Sequence, residues 1–284
     1  MSAGALALLV LASSLPAARG RPPPLPAGKF NSRGENATVP KSIALVYHGQ
    51  YVRRGNYSHL RGERGKLNVA CSDAFITHGN QREMLVAPLL RLDVDVRVYF
   101  HTVAHCARAD AALVDLMRPR NFSFTKQLPH KRDTFVRAGA LVPDSDDAEV
   151  VMFVRFDVLY QTSVATWGLR WDQLTAAFRD HPRAWFDATK ASDLFFAVPR
   201  SMLPAFLEAM GRSGDAGHDA LARLVDAGVV AKDMIDFVDE RRQGSSMVGV
   251  DPFQTFLGIE RRCDRYYRDV ACTTTDPAWG AWRP

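Results

Sequence analysis

Three acidic clusters in the sequence have the residue types to hold a divalent cation. They are Asp93-Val94-Asp95, Asp144-Ser145-Asp146-Asp147, and the carboxylate of Arg155-Phe156-Asp157. Mg²⁺ and Mn²⁺ take oxygen ligands, commonly one or two carboxylates together with phosphate oxygens and water. Only Asp157 directly follows a strongly apolar run, residues 150–154. The other two clusters precede apolar runs, and residues 144–147 are predicted to form a solvated turn.

The position of Asp157 matters because ligands of open α/β sheets bind beyond the carboxyl ends of the strands. A strand over residues 148–155 would deliver Asp157 to that edge, where a bound metal ion would act as a Lewis acid on a leaving phosphate. Arg155 could contact phosphate through its planar guanidinium or orient Asp157. The alternative is a structural Arg–Asp pair at the end of the strand.

The elements that must position these residues follow from the apolar patterns. Continuous apolar runs predict buried parallel strands at 42–47, 94–101 and 148–155, with helices at 79–92, 106–117 and 131–141 between them. In the second half we expect a helix at 169–179, short strands at 184–186 and 194–198, helices at 201–210, 218–227, 232–242 and 252–261, and a last strand at 265–270. The prediction is a single α/β domain with a mainly parallel sheet flanked by helices and a helical C-terminal part.

The first forty residues differ from the rest. Residues 3–12 form a short apolar run followed by small residues, which is typical of a secretory signal peptide over residues 1–20. A disordered, alanine-rich leader is the alternative. Residues 21–40 are rich in Pro and Gly and read as a linker, and residues 41–284 as the folded domain. No later run is long enough for a transmembrane segment, which argues against a membrane anchor.

Other features agree with the secretory pathway. Sequons begin at Asn36, Asn56 and Asn121, and there are four cysteines without a zinc-like spacing. Given an oxidising compartment, we expect Cys263 and Cys272 to form a disulfide, with four free thiols as the alternative. The predicted location is the lumen of the Golgi or ER, or outside the cell.

Composition and missing motifs exclude several classes of protein. The formal charge of +5 comes from 36 basic and 31 acidic residues that are interspersed, so no nucleic-acid partner is expected. The sequence has no P-loop, no Gly-x-Ser-x-Gly elbow and no Gly-x-Gly-x-x-Gly fingerprint, which argues against P-loop kinases, α/β hydrolases and Rossmann dehydrogenases.

Four blocks of the sequence resemble, in order, a group of GT-A-type glycosyltransferases. Residues 41–50 look like an opening strand that ends in Gly-Gln, and residues 80–102 like a helix and a strand that ends in His-Thr. Residues 153–157 resemble an Arg-x-Asp strand end, and residues 192–199 an Asp-then-aromatic strand closed by proline. The blocks cover roughly residues 41–200. Arg155 stands where an Asp-x-Asp motif has its first Asp.

The resemblance implies a nucleotide-binding, GT-A-like sheet and assigns candidate roles. The residues expected near the nucleotide are His48, Gly49, Gln50, Arg53, His101, Thr102 and Arg155, with Asp157 on a divalent metal, Mn²⁺ or Mg²⁺. A structural role is the alternative for His101. Asp187 and Asp193 could bind sugar hydroxyls or act as a general base toward the acceptor, and a turn Asp is the alternative for each. For Trp167, Trp171 and Trp185, core packing is favoured over stacking on a sugar.

The predicted function is a manganese- or magnesium-assisted glycosyltransferase of the secretory pathway. It would move a sugar from a nucleotide-sugar donor to a glycan, glycoprotein or other hydroxyl acceptor. The alternative is a catalytically inactive secreted relative that binds a carbohydrate or a protein, since a fold does not by itself imply an activity.

The leader yields a first prediction. Expressed in a secretory host, the mature chain should begin between about Ser14 and Arg21, because cleavage follows small residues after the apolar run. N-terminal sequencing of the secreted protein checks this. Cytosolic protein that retains Met1 would contradict it.

Overall fold

Strand β1 (Ser42–His48) is buried along its whole length and forms the centre of the main sheet. The computed structural model describes residues 38–53, 72–104, 107–126, 131–156, 158–160, 162–179, 191–213, 219–243 and 257–258. A strand that is largely apolar on both faces is suited to the middle of a sheet that is covered on both sides. Two parallel neighbours, β4 (Asp95–Val103) and β6 (Val150–Arg155), flank β1.

The main sheet has seven strands in the order β10-β8-β9-β6-β1-β4-β5. Only β9 runs antiparallel to its neighbours within this sheet. The remaining strands are β5 (Asn121–Thr125), β8 (Leu174–Arg179), β9 (Phe195–Pro199) and β10 (Ile235–Gln243). Two short antiparallel pairs join β2 (Val52–Arg53) to β3 (Ser72–Asp73) and β7 (Leu159–Tyr160) to β11 (Leu257–Gly258).

Helices cover both faces of the sheet, so the sheet separates two apolar cores. The helices are α1 (Ala74–Gln81), α2 (Ala87–Leu90), α3 (Ala107–Met117), α4 (Lys131–Gly139), α5 (Leu203–Arg212) and α6 (Ala220–Asp226), with a π-helix at Arg82–Val86 and 3-10 turns at Val164–Thr166, Arg200–Met202 and Lys232–Met234. The core under α2 and α3 contains Leu89 and Leu113, and the core under α4, α5 and α6 contains Phe135, Phe206 and Leu221. The predicted α/β class with a mainly parallel sheet is confirmed.

Most predicted elements of the first half are present. The strands expected at 42–47, 94–101 and 148–155 correspond to β1, β4 and β6, and the helices at 106–117 and 131–141 to α3 and α4. The helix expected at 79–92 begins earlier, at Ala74, and changes to a π-helix before Pro88. Because Pro88 has no amide hydrogen, regular i→i−4 bonding cannot continue through it.

In the main sheet, two predicted helices are strands, and the strand β5 was not predicted. Residues 169–179 contain β8, and residues 232–242 contain β10 after one 3-10 turn. In β8, residues 174–177 are buried on both faces, and periodicity alone does not separate such a buried strand from a helix. In β10 the decisive pattern is the alternation of Ile235 and Phe237, both buried. The edge strand β5 has only two apolar residues, Phe122 and Phe124.

Later elements are confirmed only in part. The helices expected at 201–210 and 218–227 are α5 and α6, and the strand at 194–198 is β9. The helix expected at 252–261 is contradicted at Leu257–Gly258, which is a strand paired with β7 because the chain returns to the segment after β6. Trp167 and Trp171 are core residues, as predicted.

Several predicted features lie outside the described residues. They are the leader, the first two sequons, all four cysteines, Trp185, and the strands expected at 184–186 and 265–270. None of the described helices is long and apolar enough to cross a membrane.

The acidic turn before β6 is not wholly solvated, and this corrects the prediction for it. Asp146 has a side chain only 2% exposed, and it accepts hydrogen bonds from Tyr99 and from Arg97, whose Nη1 lies 2.6 Å away. Arg97 also pairs with Asp95 at 2.7 Å and with the exposed Asp147. The sequence of the turn gives no sign that Arg97 is the partner of Asp146, because 49 positions separate the two residues.

The cluster around Asp146 predicts a pH-dependent contribution to stability. Burial alone would raise the pKa of Asp146, but hydrogen bonds from Tyr99, the Ala148 amide and Arg97 outweigh it and hold this pKa below its usual range. Asp146→Asn should therefore lower the free energy of unfolding at pH 7 by about 2 kcal/mol, as for hydrogen bonds to charged groups. Since the folded pKa is depressed, this stabilisation is full above about pH 4 and is lost as the pH falls further. Denaturant unfolding at pH 7 and at acid pH measures it.

The matched control for that experiment is Asp144→Asn, at the first residue of the same turn. Asp144 is fully exposed, with only a long contact to Arg200 at 3.7 Å, so its loss should change stability by less than about 0.5 kcal/mol. Equal losses in the two variants, or a difference that does not shrink in acid, would show that Asp146 has no special role.

Candidate functional site

The carboxyl ends of β1, β4 and β6 meet at one edge of the sheet. In the register of β1 and β6, His48 is opposite Arg155. In the register of β1 and β4, Tyr47 is opposite Phe100, so His101 and Thr102 are at the same edge. The chain passes from β1 to β4 on one side and from β6 to β8 and then β9 on the other side. The crevice between β1 and β6 is thus a topological switch point, where α/β sheets bind ligands.

Strand β9 brings Asp193 to this edge because it runs antiparallel to β6. Val154 is opposite Phe195, so the residues that precede β9 lie beside the carboxyl end of β6. Arg155 Nη1 donates to Asp193 Oδ2 at 2.9 Å, and the two side chains are 10% and 2% exposed. An Arg–Asp pair at the end of β6 is thus present, and Asp193, from the segment before β9, is an acidic partner of Arg155.

The ion pair changes what Arg155 can do chemically. A buried guanidinium next to a buried carboxylate is compensated in charge, and breaking a buried pair by removing one partner is strongly destabilising. The pair therefore fixes the end of β6 against the start of β9. Sequence reasoning assigned Arg155 and Asp193 separate roles and did not connect them, since 38 positions separate them.

His48 and His101 lie on the face of the sheet that α4 covers. The ring of His48 is 3% exposed and packs against Phe135 of α4, with ring centroids 3.7 Å apart. His101 is also 3% exposed, and its Nδ1 lies 2.7 Å from the hydroxyl of Ser123, its neighbour in β5. The two imidazoles and Arg155 share one face because alternate residues of a strand point the same way.

Burial makes His101 a neutral imidazole. Burial and, to a lesser extent, the nearby charge of Arg137 together lower the pKa of His101 to about 4. Among the residues that the structure describes, no group forms a hydrogen bond with His101 Nε2. His101 can therefore offer one hydrogen bond to a neutral or polar ligand group, and it does not supply a positive charge at neutral pH.

The turn after β1 is fixed to neighbouring elements by Tyr51. The backbone N–H of Tyr51 donates to Thr102 Oγ1 at 3.1 Å, and its hydroxyl donates to Asp110 of α3. Within this turn, Gly49 has φ of 92°, a left-handed conformation that favours glycine. Gly49 and Gln50 are partly exposed at the crevice. Thr102 is fully buried, so its role is to hold the turn.

The remaining predicted residues are not placed by side-chain geometry. Arg53 lies in β2, directly after this turn, and its side chain lies outside the described part. Asp157 and Asp187 also lie outside it, although Phe156 and Val158 on either side of Asp157 are described and buried. The structure thus brings together His48, Gly49, Gln50, His101, Thr102, Arg155 and Asp193.

Sequence reasoning missed three polar residues of α1 that contact the segment after β6. They are Thr77, Asn80 and Gln81, and each hydrogen-bonds to backbone groups of residues 155–160. The signal was available: the three lie at i, i+3 and i+4, on one helix face. The predicted helix began at Gly79, which excluded Thr77 and hid this polar stripe.

The fit of a divalent cation depends on a small donor set. Among the described residues, no three His, Cys, Asp or Glu side chains gather into a metal site. A Mg²⁺- or Mn²⁺-type ion that takes one carboxylate, phosphate oxygens and water does not need such a group. The charge of Arg155, a buried cation at this edge of the sheet, is compensated by Asp193. The residues present are thus compatible with an ion that enters together with a diphosphate.

A hollow of about 320 Å³ lies at the other end of the sheet and does not belong to this crevice. Its walls include Arg97, Tyr99 and Asp146, the cluster at the amino ends of β4 and β6. Arg97 faces three carboxylates there, so the hollow offers little net positive charge for an anionic ligand.

Sequence comparison matches the chain to no protein-family model and to no curated protein. Solved structures with a similar fold include a protein from Desulfovibrio desulfuricans G20 described as a nucleotide-diphospho-sugar transferase, with 8% identity, a TM-score of 0.41, and coverage of 74% of this chain and 83% of that chain. A mutant Drosophila β-1,4-galactosyltransferase 7 in complex with manganese, UDP-Gal and xylobiose has 12% identity, a TM-score of 0.39, and coverage of 86% and 79%.

A third similar structure is the apo form of the glycosyltransferase GlyE from Streptococcus pneumoniae TIGR4. It has 12% identity, a TM-score of 0.33, and coverage of 71% of this chain and 46% of that chain. All three neighbours are described as sugar transferases. The α/β class of the present chain rests on its own sheet, with one antiparallel strand among the seven.

The environment of His101 predicts an unusual titration. Its imidazole should protonate near pH 4 rather than near 6.5, because burial disfavours the charged ring. Since an unfolded histidine protonates first, the folded state should lose stability as the pH falls from about 6.5 to 4. NMR titration of the ring, assigned with a His101→Asn variant, measures this. A midpoint near 6.5 would show that the ring is open to solvent.

Proposed function

We propose that the chain is a nucleotide-sugar-dependent glycosyltransferase with its site in the crevice between β1 and β6. It transfers a sugar from the donor to a hydroxyl group of a glycan, a glycoprotein or another acceptor. We further propose that it works in the lumen of the secretory pathway or outside the cell, on the basis of the leader and the sequons.

The observation that carries this proposal is the meeting of four sequence blocks at one edge. The blocks that resemble GT-A-type glycosyltransferases end at His48–Gln50, at His101–Thr102, at Arg155–Asp157, and begin again at Asp193. In the sheet these four places are neighbours, through the β1–β4, β1–β6 and β6–β9 registers. Unrelated short similarities would not be expected to gather at a switch point.

On the donor side, the turn after β1 and the end of β4 would hold the nucleotide. Gly49 has no side chain to block a close approach, and Gln50 is partly exposed beside it. His101 presents a neutral nitrogen, which suits a nucleobase or ribose better than a phosphate. Because Arg155 is compensated by Asp193, the donor's phosphate charge calls for another cation.

That cation would be Mn²⁺ or Mg²⁺, with Asp157 as the protein ligand. The ion would stabilise the negative charge that develops on the nucleotide diphosphate as it leaves. Arg155 and Asp193 would hold the end of β6, so that Asp157 enters the crevice from a fixed strand. The backbone at residues 155 and 158, on either side of Asp157, is held by Gln81 of α1.

On the acceptor side, Asp193 and Asp187 are the proposed acidic residues. A carboxylate there would accept the proton of the acceptor hydroxyl or bind sugar hydroxyls. Asp193 is 1% exposed, and its Oδ2 already accepts from Arg155. Binding and orienting through Asp193 therefore agrees better with its surroundings than proton transfer, and Asp187 is the stronger candidate for the base.

Substitution of Asp157 tests the proposal directly. Asp157→Asn keeps the size of the side chain and removes its charge, so the free energy of unfolding should change by less than about 1 kcal/mol. Hydrolysis of nucleotide sugars should fall at least about 100-fold, because the stabilised charge develops in the transition state. Thermal melting and turnover are measured on the same preparation, across UDP-, GDP- and CMP-sugars, with and without Mn²⁺.

Asp93→Asn is the matched control for this substitution. Asp93 is exposed at the opposite edge with φ of 60°, a conformation that asparagine also adopts, so neither fold nor turnover should change. Lost activity in the control with activity retained in Asp157→Asn would place the site elsewhere. A wild-type protein stabilised by nucleotides but without turnover would instead support the inactive, carbohydrate- or protein-binding relative.

A further inference from the structure

The segment after β6 is held by side chains of one helix. Gln81 Nε2 donates to the carbonyl oxygens of residues 155 and 158, at 2.9 and 2.8 Å, with a longer contact to that of residue 156 at 3.4 Å. Thr77 donates its hydroxyl hydrogen to the carbonyl of Phe156. The backbone is therefore fixed immediately before and after Asp157.

Asn80 extends this contact by one further position. Its Nδ2 donates to the carbonyl of Tyr160 at 2.9 Å, and its Oδ1 accepts from the N–H of the same residue at 2.7 Å. The side-chain amide thus copies the pair of hydrogen bonds that a neighbouring strand would make. On its other side, β7 pairs with β11, so residues 159–160 are held from two directions.

These contacts are buried, which makes them both specific and costly to lose. Gln81 is 1% exposed and Thr77 is 3% exposed. Backbone carbonyl groups in an irregular, buried segment need partners, and each carbonyl oxygen left unsatisfied costs about 1–3 kcal/mol. A glutamine amide that bridges residues 155 and 158 also fixes the distance between the two ends of the turn.

We propose that Gln81 and Asn80 are positioning residues that set where Asp157 can reach. This rests on the proposed function, in which Asp157 ligates the ion that accompanies the donor diphosphate. Neither residue touches the nucleotide or the ion. They act through the backbone of residues 155–160, in the way that outer partners of metal ligands determine metal affinity.

The test compares metal dependence with stability. Gln81→Met keeps the length and buried volume of the side chain but removes both donor hydrogens. Asn80→Ala removes the Tyr160 pair at a partly buried position, and it provides a second variant should Gln81→Met not fold. The measured quantities are the Mn²⁺ concentration that half-saturates UDP binding, followed by calorimetry, the UDP affinity without metal, and the melting temperature.

We expect the half-saturating Mn²⁺ concentration to rise about tenfold in Gln81→Met, and by a smaller factor in Asn80→Ala. UDP affinity without metal should not change. Asp146→Asn serves as the stability control, because it lowers the melting temperature from the opposite edge and should leave the Mn²⁺ requirement as in the wild type.

The possible failures are distinguishable. Folded Gln81→Met and Asn80→Ala proteins with the wild-type Mn²⁺ requirement would overturn the positioning role and leave the proposed function intact. A rise in the Mn²⁺ requirement in Asp146→Asn as well would also overturn it, because lost stability alone would then explain the effect. A wild-type protein that binds UDP equally with and without Mn²⁺, or that binds no nucleotide, would overturn the metal role of Asp157 and the positioning role with it.

Discussion

The rest of the structure depends on the complete burial of β1 between two parallel neighbours. Every residue of β1 from Ile43 to His48 is at most 3% exposed, so this strand requires apolar cover on both faces and hydrogen-bonded partners on both sides. Parallel neighbours bring their carboxyl ends to the same edge, and the crossovers on opposite sides of β1 open a crevice there. The apolar runs of β1 and β6 end directly before His48 and Arg155, and these two residues are the first polar residues of the candidate site.

Polar groups at both ends of the sheet are buried in compensated sets. Arg155 pairs with Asp193 at the carboxyl edge, and Arg97 pairs with Asp146 at the amino edge. Burying such charges has a desolvation cost that the pairing must offset before it adds net stability. The pairs also fix geometry, because each joins segments that are far apart in sequence.

The sequence allowed prediction of the elements whose burial is uniform. β1 and β6 were predictable because an apolar run of strand length has one clear interpretation when β-branched residues are frequent in it. β8 was predicted as a helix because residues 169–179 fit an amphipathic helical pattern, and period alone does not separate a buried strand from a buried helix. The position of the site followed from the strand ends, whereas Asp193 as the partner of Arg155 and Gln81 as the clamp of residues 155–160 depend on contacts over 38 and 74 positions.

The irregular helical stretch at residues 74–90 explains why the contacts of Gln81 and Asn80 with residues 155–160 were not predicted. Between Ala74 and Leu90 the chain makes two different sets of contacts, and the π-helix at Arg82–Val86 separates them. Before it, Gln81 faces the backbone after β6. Beyond it, Pro88 and Leu89 are buried against the sheet. Ala87 N–H bonds to the Arg82 carbonyl, five residues earlier, which adds a residue to this turn ahead of the proline. The pattern of apolar and polar residues over the whole stretch therefore shows no single apolar face. The role of the polar residues in α1 is clear only from the structure, in which they lie opposite the backbone after β6.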